Sequence, residues 1–406
     1  MSNTQKKNVP ELRFPEFEGE WEEKQFADFT KINQGLQIAI NERKTEYSPE
    51  LYFYITNEFL RPNSQTKYFI ENPAQSVIAN KEDILMTRTG NTGKVVTNVF
   101  GAFHNNFFKI KFDKNLYDRL FLVEVLNSSK IQNKILSLAG SSTIPDLNHS
   151  DFYSISSSYP LLREQQKIGK FFSKLDRQIE LEEQKLELLQ QQKKGYMQKI
   201  FSQELRFKDE NGEDYPDWKE KKLGDITEQS MYGIGASATR FDSKNIYIRI
   251  TDIDEKSRKL NYQNLTTPDE LNNKYKLKRN DILFARTGAS TGKSYIHKEE
   301  KDIYNYYFAG FLIKFKINEQ NSPLFIYQFT LTSKFNKWVK VMSVRSGQPG
   351  INSEEYAKLP LVLPNKLEQQ KIAKFLDRFD RQIELEKQKI EILQQQKKGL
   401  LQSMFI

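Results

Sequence analysis

Cysteine is absent from the 406-residue chain, which excludes disulfides and thiolate metal sites and suits a reducing cytoplasm. Histidine is almost absent. His104, His149 and His297 stand apart, with no pair at metal-ligand spacing, so a histidine zinc site or a Ser-His-Asp triad has little material. No run approaches the roughly 18 apolar residues needed to span a bilayer, and the opening MSNTQKKNVPELRF has no apolar signal-peptide core. A soluble, cytoplasmic protein with no membrane partner is expected. What the chain does have is 37% hydrophobic and 13% aromatic residues, enough for two sizeable cores, and a net charge of +9. A moderate surplus of Lys and Arg fits polyanion binding, because each phosphate contact releases counterions, but does not require it.

The dominant feature is a repeat. Residues 164–201 read EQQKIGKFFSKLDRQIELEEQKLELLQQQKKGYMQKIF, and residues 368–405, 204 positions on, read EQQKIAKFLDRFDRQIELEKQKIEILQQQKKGLLQSMF, about two thirds identical. The stretches preceding them differ widely, so the chain reads as two copies of one unit, a variable globular part followed by a constant helix. Ile168, Phe172, Leu175, Ile179, Leu186, Leu189, Tyr196 and Ile200 recur at steps built from three and four. Ile372, Leu376, Phe379, Ile383, Ile390, Leu393, Leu400 and Met404 do the same, with Glu182, Lys193, Glu386 and Lys397 filling the skipped positions. This is a heptad seam. Pro160 and Pro364, four residues ahead of each opening glutamate, mark where the helices begin. At 1.5 Å per residue each would run about 57 Å. One such helix could pack on its own domain; two matched copies favour packing on each other, and a pseudo-twofold relation makes the pair antiparallel.

The variable halves keep their landmarks in order. Each opens on ELRF (Glu11–Phe14, Glu204–Phe207), then a tryptophan leading what reads as a short helical run, Trp21 to Thr30 and Trp218 to Thr227. Strand-like LYFYITN (51–57) and IYIRITD (246–252) follow, then DILMTRTGNTGK (83–94) and DILFARTGASTGK (281–293), an apolar strand running into a Gly-rich turn. FFKIKF (107–112) and FLIKFKI (311–317) read as strands, and the segments around Ser129 and Ser333 as helices. AGSSTIPDLN (139–148) and RSGQPGIN (345–352) read as turns before a β-like segment ending at each proline. Strands and helices mix without regular alternation, so the expected class is α+β. The expected domains are 1–160 and 204–364, each followed by a helix, 161–203 and 365–406.

Catalytic readings find little support. A P-loop needs Gly, four residues, then Gly-Lys-Ser/Thr; Gly288 to Gly292 encloses three residues, and Gly90-Asn-Thr-Gly93-Lys94-Val95 is shorter and lacks the hydroxyl. Two readings of these turns remain, a tight turn whose glycines supply positive φ, and a DNA-facing turn presenting Arg88, Lys94, Arg286 and Lys293. A carboxylate nuclease would have to use Asp217-Trp-Lys-Glu220-Lys-Lys222, which reads instead as a solvated helix start. Asn72-Pro73-Ala74-Gln75 fails the Asn-Pro-Pro-aromatic motif of an adenine methyltransferase.

Two diverged halves, each with an opening Trp and a DILxxRTG turn and each ending in P-x-x-x-EQQKI and a long LQQQKKG helix, resemble the DNA-specificity subunit of a type I restriction-modification enzyme over nearly the whole chain. The resemblance implies two target-recognition domains, each reading half of a split, asymmetric site in double-stranded DNA, and paired helices that set the spacer and dock two modification (methyltransferase) subunits. It implies no cofactor on this chain; the partners bring S-adenosylmethionine for adenine methylation, and motor-nuclease restriction subunits use ATP and magnesium to cleave unmodified DNA. The chain itself would be non-catalytic. A coiled-coil scaffold without DNA function predicts no sequence-specific DNA binding, and a stand-alone nuclease predicts turnover by the purified chain; co-purification with a methyltransferase subunit separates all three.

Base-contacting residues do not transfer within such a family, because the recognition domains vary with their targets. Side-chain chemistry gives the candidates, Arg and Lys for guanine and phosphate, Asn and Gln for adenine. In the first half these are Gln34, Gln37, Arg43, Asn57, Arg88, Asn91, Lys94, Asn105 and Asn106. In the second they are Tyr232, Arg240, Arg249, Arg286, Ser290, Lys293, Arg345 and Gln348.

Overall fold

The structure, a computed structural model, describes residues 8–61, 64–140, 143–298 and 303–405. The start of the MSNTQKKNVP segment and Ser141 and Ser142 of the AGSSTIPDLN stretch lie outside the described residues. In chain order the first half holds β1 (Glu22–Gln25), α1 (Phe26–Phe29), β2 (Thr30–Gln34), β3 (Tyr52–Ile55), β4 (Tyr68–Ile70), β5 (Ile78–Ala79), β6 (Ile84–Thr87), β7 (Val95–Val96), β8 (Gly101–Phe103), β9 (Phe107–Phe112), α2 (Arg119–Asn127), α3 (Ser129–Leu138), α4 (His149–Tyr153), β10 (Ser156–Tyr159) and the long α5 (Leu162–Phe201). The second half repeats the plan with β11 (Lys219–Lys222), β12 (Thr227–Tyr232), β13 (Ala238–Arg240), β14 (Asn245–Ile248), β15 (Thr266–Pro268), β16 (Ile282–Ala285), β17 (Ser294–Ile296), β18 (Asn305–Phe308), β19 (Leu312–Ile317), α6 (Pro323–Phe329), α7 (Ser333–Met342), α8 (Ser353–Ala357), β20 (Pro360–Leu363) and α9 (Lys366–Met404).

Both halves are α+β and share a central antiparallel sheet, β2-β9-β6-β7 in the first and β12-β19-β16-β17 in the second. A parallel pair lies beside each, β3 with β8 and β14 with β18; the first half extends its pair to four strands with β4 and β5. The chain divides into two compact units. One takes in the chain up to Gln184 together with the stretch from Lys387; the other is Lys185–Glu386. Each unit therefore holds one globular part, the start of the helix that follows it and the end of the other helix.

The Trp-led segments differ from expectation. They open as strands, β1 and β11, pairing antiparallel with β10 and β20, and only then make a single helical turn. The solvated helix start expected at Asp217–Lys222 is thus an edge strand whose four residues all face solvent. The helical turn is written by the Asp-x-Thr that follows. Asp28 and Asp225 accept the Gln25 and Lys222 N–H at 2.7 Å, while the Thr30 and Thr227 hydroxyls donate to the Phe26 and Leu223 carbonyls at 2.6 Å.

The long helices begin just after Pro160 and Pro364, as the sequence implies, and the ends of their seams belong to the domain cores. Ile168 and Phe172 are buried with Trp21, Phe121, Phe152 and the Met404 end of α9; Ile372 and Leu376 are buried with Phe284, Tyr356 and the Ile200 end of α5. Burial of a ring such as Phe172 contributes about 2–3 kcal/mol. Ile179, Ile390 and Leu393 are buried between these ends, while Leu175, Leu186, Leu189, Phe379, Ile383 and Leu400 are half-buried and Tyr196 is exposed.

Within each unit the helix segments run antiparallel. Lys397 meets Asp176 at 2.6 Å and Lys389 meets Glu182 in one unit; Lys193 meets Asp380 at 2.6 Å and Lys185 meets Glu386 at 2.7 Å in the other. Rising numbers on one helix pair with falling numbers on the other, and a shift of 204 converts one set of ion pairs into the other. The charged residues that interrupt the heptad seam are the residues that fix its register.

Candidate nucleic-acid interface

The two central sheets end in the same frame. Strands β6 and β16 deliver Arg88 and Arg286 to a turn whose glycines adopt positive φ, 87° and 88° at Gly90 and Gly93, 71° and 89° at Gly288 and Gly292, a region that costs glycine nothing. The arginine N–H donates to the Asn106 carbonyl at 2.7 Å or the Phe311 carbonyl at 3.1 Å, and its carbonyl accepts from Leu147 or Ile351 at 2.9 Å. One residue further, Asn148 and Asn352 cap α4 and α8. Beside the turn, β2 and β12 end at Gln34 and Tyr232, each followed by a glycine packed so closely that a Cβ on Gly35 would strike the Phe103 carbonyl, and one on Gly233 the Ala309 carbonyl. Equivalent places on this frame therefore carry Gln34 or Tyr232, Asn106 or Phe311, Asp146 or Gly350.

In the first domain the structure brings most of the expected residues together. Asn105 links Gln34, whose amide donates to its carbonyl at 3.1 Å, and Gln37, which accepts from its side chain at 3.1 Å. Asn106 adjoins Arg88 through the backbone bond above. Asn57 donates to the Thr89 carbonyl at 2.8 Å. Arg88 lies over Phe108 and binds Asp146 at 2.6 Å. Burial works against the Asp146 carboxylate, but the Thr89 hydroxyl and the Arg88 guanidinium outweigh it and hold its pKa below the usual range. Asn91 and Lys94 are exposed and line an open cleft of about 490 Å³ with Leu60, Arg61, Thr92 and Gln132. Arg43 is differently placed. Its guanidinium donates to the Ile38 carbonyl at 2.8 and 3.1 Å and sits 5.3 Å from the Tyr54 and Tyr68 rings, a packing role. His104, pushed down to about 4 by burial and then by the Arg43 charge, is neutral at physiological pH and accepts the Asn106 N–H.

The second domain gathers fewer. Arg286 lies 5.1 Å from the Tyr232 ring and 5.9 Å from the Phe311 ring, with Nε donating to the Gly310 carbonyl at 3.0 Å. The Tyr232 hydroxyl accepts from the Ser353 N–H. Arg240 and Gln348 are exposed, with no side-chain partner among the described residues, and Ser290 is half-buried in the turn. Arg249 is committed to Asp252 through two bonds of 2.8 and 2.9 Å, and Arg345 to Glu355 and the Met342 and Val344 carbonyls.

Lys293 departs furthest from its expected DNA-facing place. Its side chain is 7% exposed, with Nζ on Glu255 at 2.7 Å and on the Ile253 and Ile250 carbonyls at 3.1 and 3.4 Å. A chain segment covers it where, in the first domain, the Leu60–Arg61 cleft leaves Lys94 open.

Sequence reasoning passed over the residues that bind the motifs together. The EQQ glutamates accept a two-pronged arginine from ELRF: Arg13 on Glu164 at 2.7 Å twice, Arg206 on Glu368 at 2.8 and 3.1 Å. Gln165 and Gln369 bond the Pro160 and Pro364 carbonyls at 2.9 Å and accept from the Asp118 and Ser322 N–H groups that cap α2 and α6. The signal was available, since ELRF and EQQ recur together in both copies. Phe311, 59% exposed, was hidden as the first letter of a strand-like run.

The sequence model of the type I restriction modification DNA specificity domain matches residues 18–191 and 215–395. The type I restriction enzyme MjaVIII specificity subunit of Methanocaldococcus jannaschii is 26% identical over 97% of this chain and 93% of its own length. The HindI specificity subunit of Haemophilus influenzae is 28% identical over 47% of this chain and 41% of its own length. Among solved structures, the type I restriction-modification S subunit from M. genitalium superposes with a TM-score of 0.67 at 17% identity, over 98% of this chain and 99% of that one. No helix among the described residues is long and apolar enough to cross a membrane.

Proposed function

This chain belongs to the type I restriction-modification DNA specificity family, and from that premise we propose how its parts divide the work. As a specificity subunit with two recognition domains it supplies selection rather than chemistry. Each domain reads one half of a split, asymmetric duplex site through the face around its arginine turn. One observation carries this reading: a common backbone frame, fixed by the same turn glycines, asparagine cap and close-packed glycine, presents different side chains at equivalent places in the two domains. A frame kept constant beneath a changing surface is what two readers of different half-sites require.

On the helices, Leu181 and Ile392 of one unit and Leu188 and Leu385 of the other are about half exposed or more, at matched positions of the repeat. We assign these apolar sites to two modification subunits, which bring S-adenosylmethionine and methylate adenine; motor-nuclease subunits, with ATP and magnesium, complete a restriction complex in the cytoplasm. The continuous helices set the gap between half-sites. Mapping methylated adenines in cells carrying this chain and its partners tests the assignment: a bipartite site supports it, and an absence of site-specific methylation together with non-selective DNA binding refutes it. Removing four residues from one LQQQKKG segment, about one helical turn or 5–6 Å, should change the gap and leave both half-sequences intact.

A further inference from the structure

The second domain carries an apolar feature that its counterpart lacks. Phe311 is 59% exposed and Tyr232 41% exposed, and the Arg286 guanidinium rests against both rings. A single exposed aromatic is ordinary, but two rings flanking one guanidinium form a continuous surface. Nor is that guanidinium neutralised. In the first domain Asp146 binds Arg88, whereas Gly350 occupies the equivalent place opposite Arg286, which has no ion pair among the described residues. Among the described residues only Nε is engaged, on the Gly310 carbonyl, so both terminal nitrogens are left to donate. The first domain holds Asn106 and Gln34 where the second holds Phe311 and Tyr232.

We propose that the second recognition domain reads a thymine–guanine step, the Phe311 ring packing on the thymine 5-methyl group while Arg286 donates to O6 and N7 of the neighbouring guanine. The thymine methyl is the apolar group that base pairs display in the major groove, and the arginine fork matches the two guanine acceptors. The separation fits as well. A guanidinium centred 5.9 Å from the ring can serve one base while the ring serves the next, since base pairs rise by about 3.4 Å. Gly310, in the connection between β18 and β19 just before Phe311, accepts the Arg286 Nε–H at its carbonyl and so holds the arginine in place. This inference rests on the function proposed above and adds to it the identity of two adjacent bases.

The test uses the full chain and the duplex defined by its mapped methylation site. Each thymine is replaced singly by deoxyuridine, which deletes only the methyl, and each guanine by 7-deazaguanine, which deletes N7. One thymine should show a loss of affinity of about fourfold with the unsubstituted protein, retained in Phe311→Leu and absent in Phe311→Ala. The adjacent guanine should show a loss of about fivefold or more that vanishes in Arg286→Ala. Phe311 is mostly solvent-exposed, so its variants keep the fold, and unchanged response at all other thymines verifies this. The proposal is overturned if no thymine methyl is sensed through Phe311, or if the thymine and guanine so identified are not neighbours. If the unsubstituted chain selects no sequence at all, the function itself fails, an outcome visible before any variant is made.

Discussion

Lys94 and Lys293 occupy the same place in the sequence, each closing an Arg-Thr-Gly turn with Gly-Lys, yet one stands in solvent beside an open cleft and the other is buried against Glu255 and two carbonyls. The pair teaches how far a repeat can be trusted. The second turn is one residue longer, yet both close alike, with the lysine N–H bonded to the Asn91 or Ser290 carbonyl in the same way. The side chain's fate is decided by what packs over it, and that lies in the part of each domain that has diverged.

The largest loss in either half should come from the residues the two halves share most closely. Replacing Glu164 or Glu368 by Ala strands a partly buried arginine, and each should lower unfolding free energy in urea by about 3–5 kcal/mol. Trp218 also donates to Glu368 at 3.2 Å, whereas the Trp21 indole N–H has no partner among the described residues. The Glu368 variant should therefore lose about 1 kcal/mol more. Equal, small losses would mean that these glutamates do not clamp the start of the helices.

Next come the two lysines themselves. Lys293→Ala should cost the second domain about 2 kcal/mol of stability through its lost charged hydrogen bonds and leave the salt dependence of DNA binding unchanged. Lys94→Ala should leave stability alone, weaken binding to all sequences alike and lower the salt slope by about one unit. Matching behaviour of the two variants in thermal melts and salt titrations would mean that Lys94 and Lys293 are not differently placed.

A third comparison sits where α2 and α6 meet the helix pair. Glu124 faces Lys397 at 3.3 Å beside Asp176; 204 residues on, Gln328 donates to Asp380 at 2.7 Å beside Lys193. Burial, with the Asp176 charge adding to it and Lys397 opposing, pushes the Glu124 carboxyl up to about 7 from its ordinary 4.5. A folded pKa raised above the unfolded one means that this group's contribution is intact below about pH 4.5 and is lost as pH climbs through 7. Glu124→Gln should thus add about 1–2 kcal/mol at pH 8 and nothing at pH 4, while Gln328→Glu should introduce the same pH dependence into the other unit. A pH-independent difference in melting temperature would show that Glu124 does not titrate in this range.

The long helices and the duplication were legible because a heptad seam repeats over many turns and needs no knowledge of its partner. The Trp-led strands were not, because edge strands such as Glu22–Gln25 and Lys219–Lys222 carry charge on both faces and so lack the alternation that marks a half-buried strand. At the candidate interface, polar clustering around Arg88 and Asn105 could be anticipated from residue chemistry. That Arg43, Arg249 and Arg345 are occupied by their own neighbours could not, since a sequence does not say which carbonyl or carboxylate an arginine will meet. Gly35 and Gly233 were overlooked because their need for glycine comes from a close backbone approach across strands.

The smallest effect concerns Asp146, which holds Arg88 while Gly350 leaves Arg286 unopposed. The Arg88–Asp146 pair is partly exposed, with side chains 18% and 45% accessible, so solvent screening limits its worth to about 0.5–1 kcal/mol. Its effect on DNA is then one of orientation and charge. Asp146→Asn keeps a group able to accept from Thr89 but removes the negative charge, which should tighten binding to non-cognate duplexes and steepen the salt slope by up to about one unit, because a neutralised guanidinium becomes available to phosphate. If Arg88 also reads a base, freeing it should relax preference at one position of the first half-site, while Arg88→Ala abolishes that preference at a cost of about 1–3 kcal/mol. The second half-site should be unaffected by either change. Salt titrations against duplexes mutated in one half-site at a time separate these outcomes, and an Asp146→Asn protein with unchanged slope and selectivity would assign the pair to holding the turn rather than tuning what it reads.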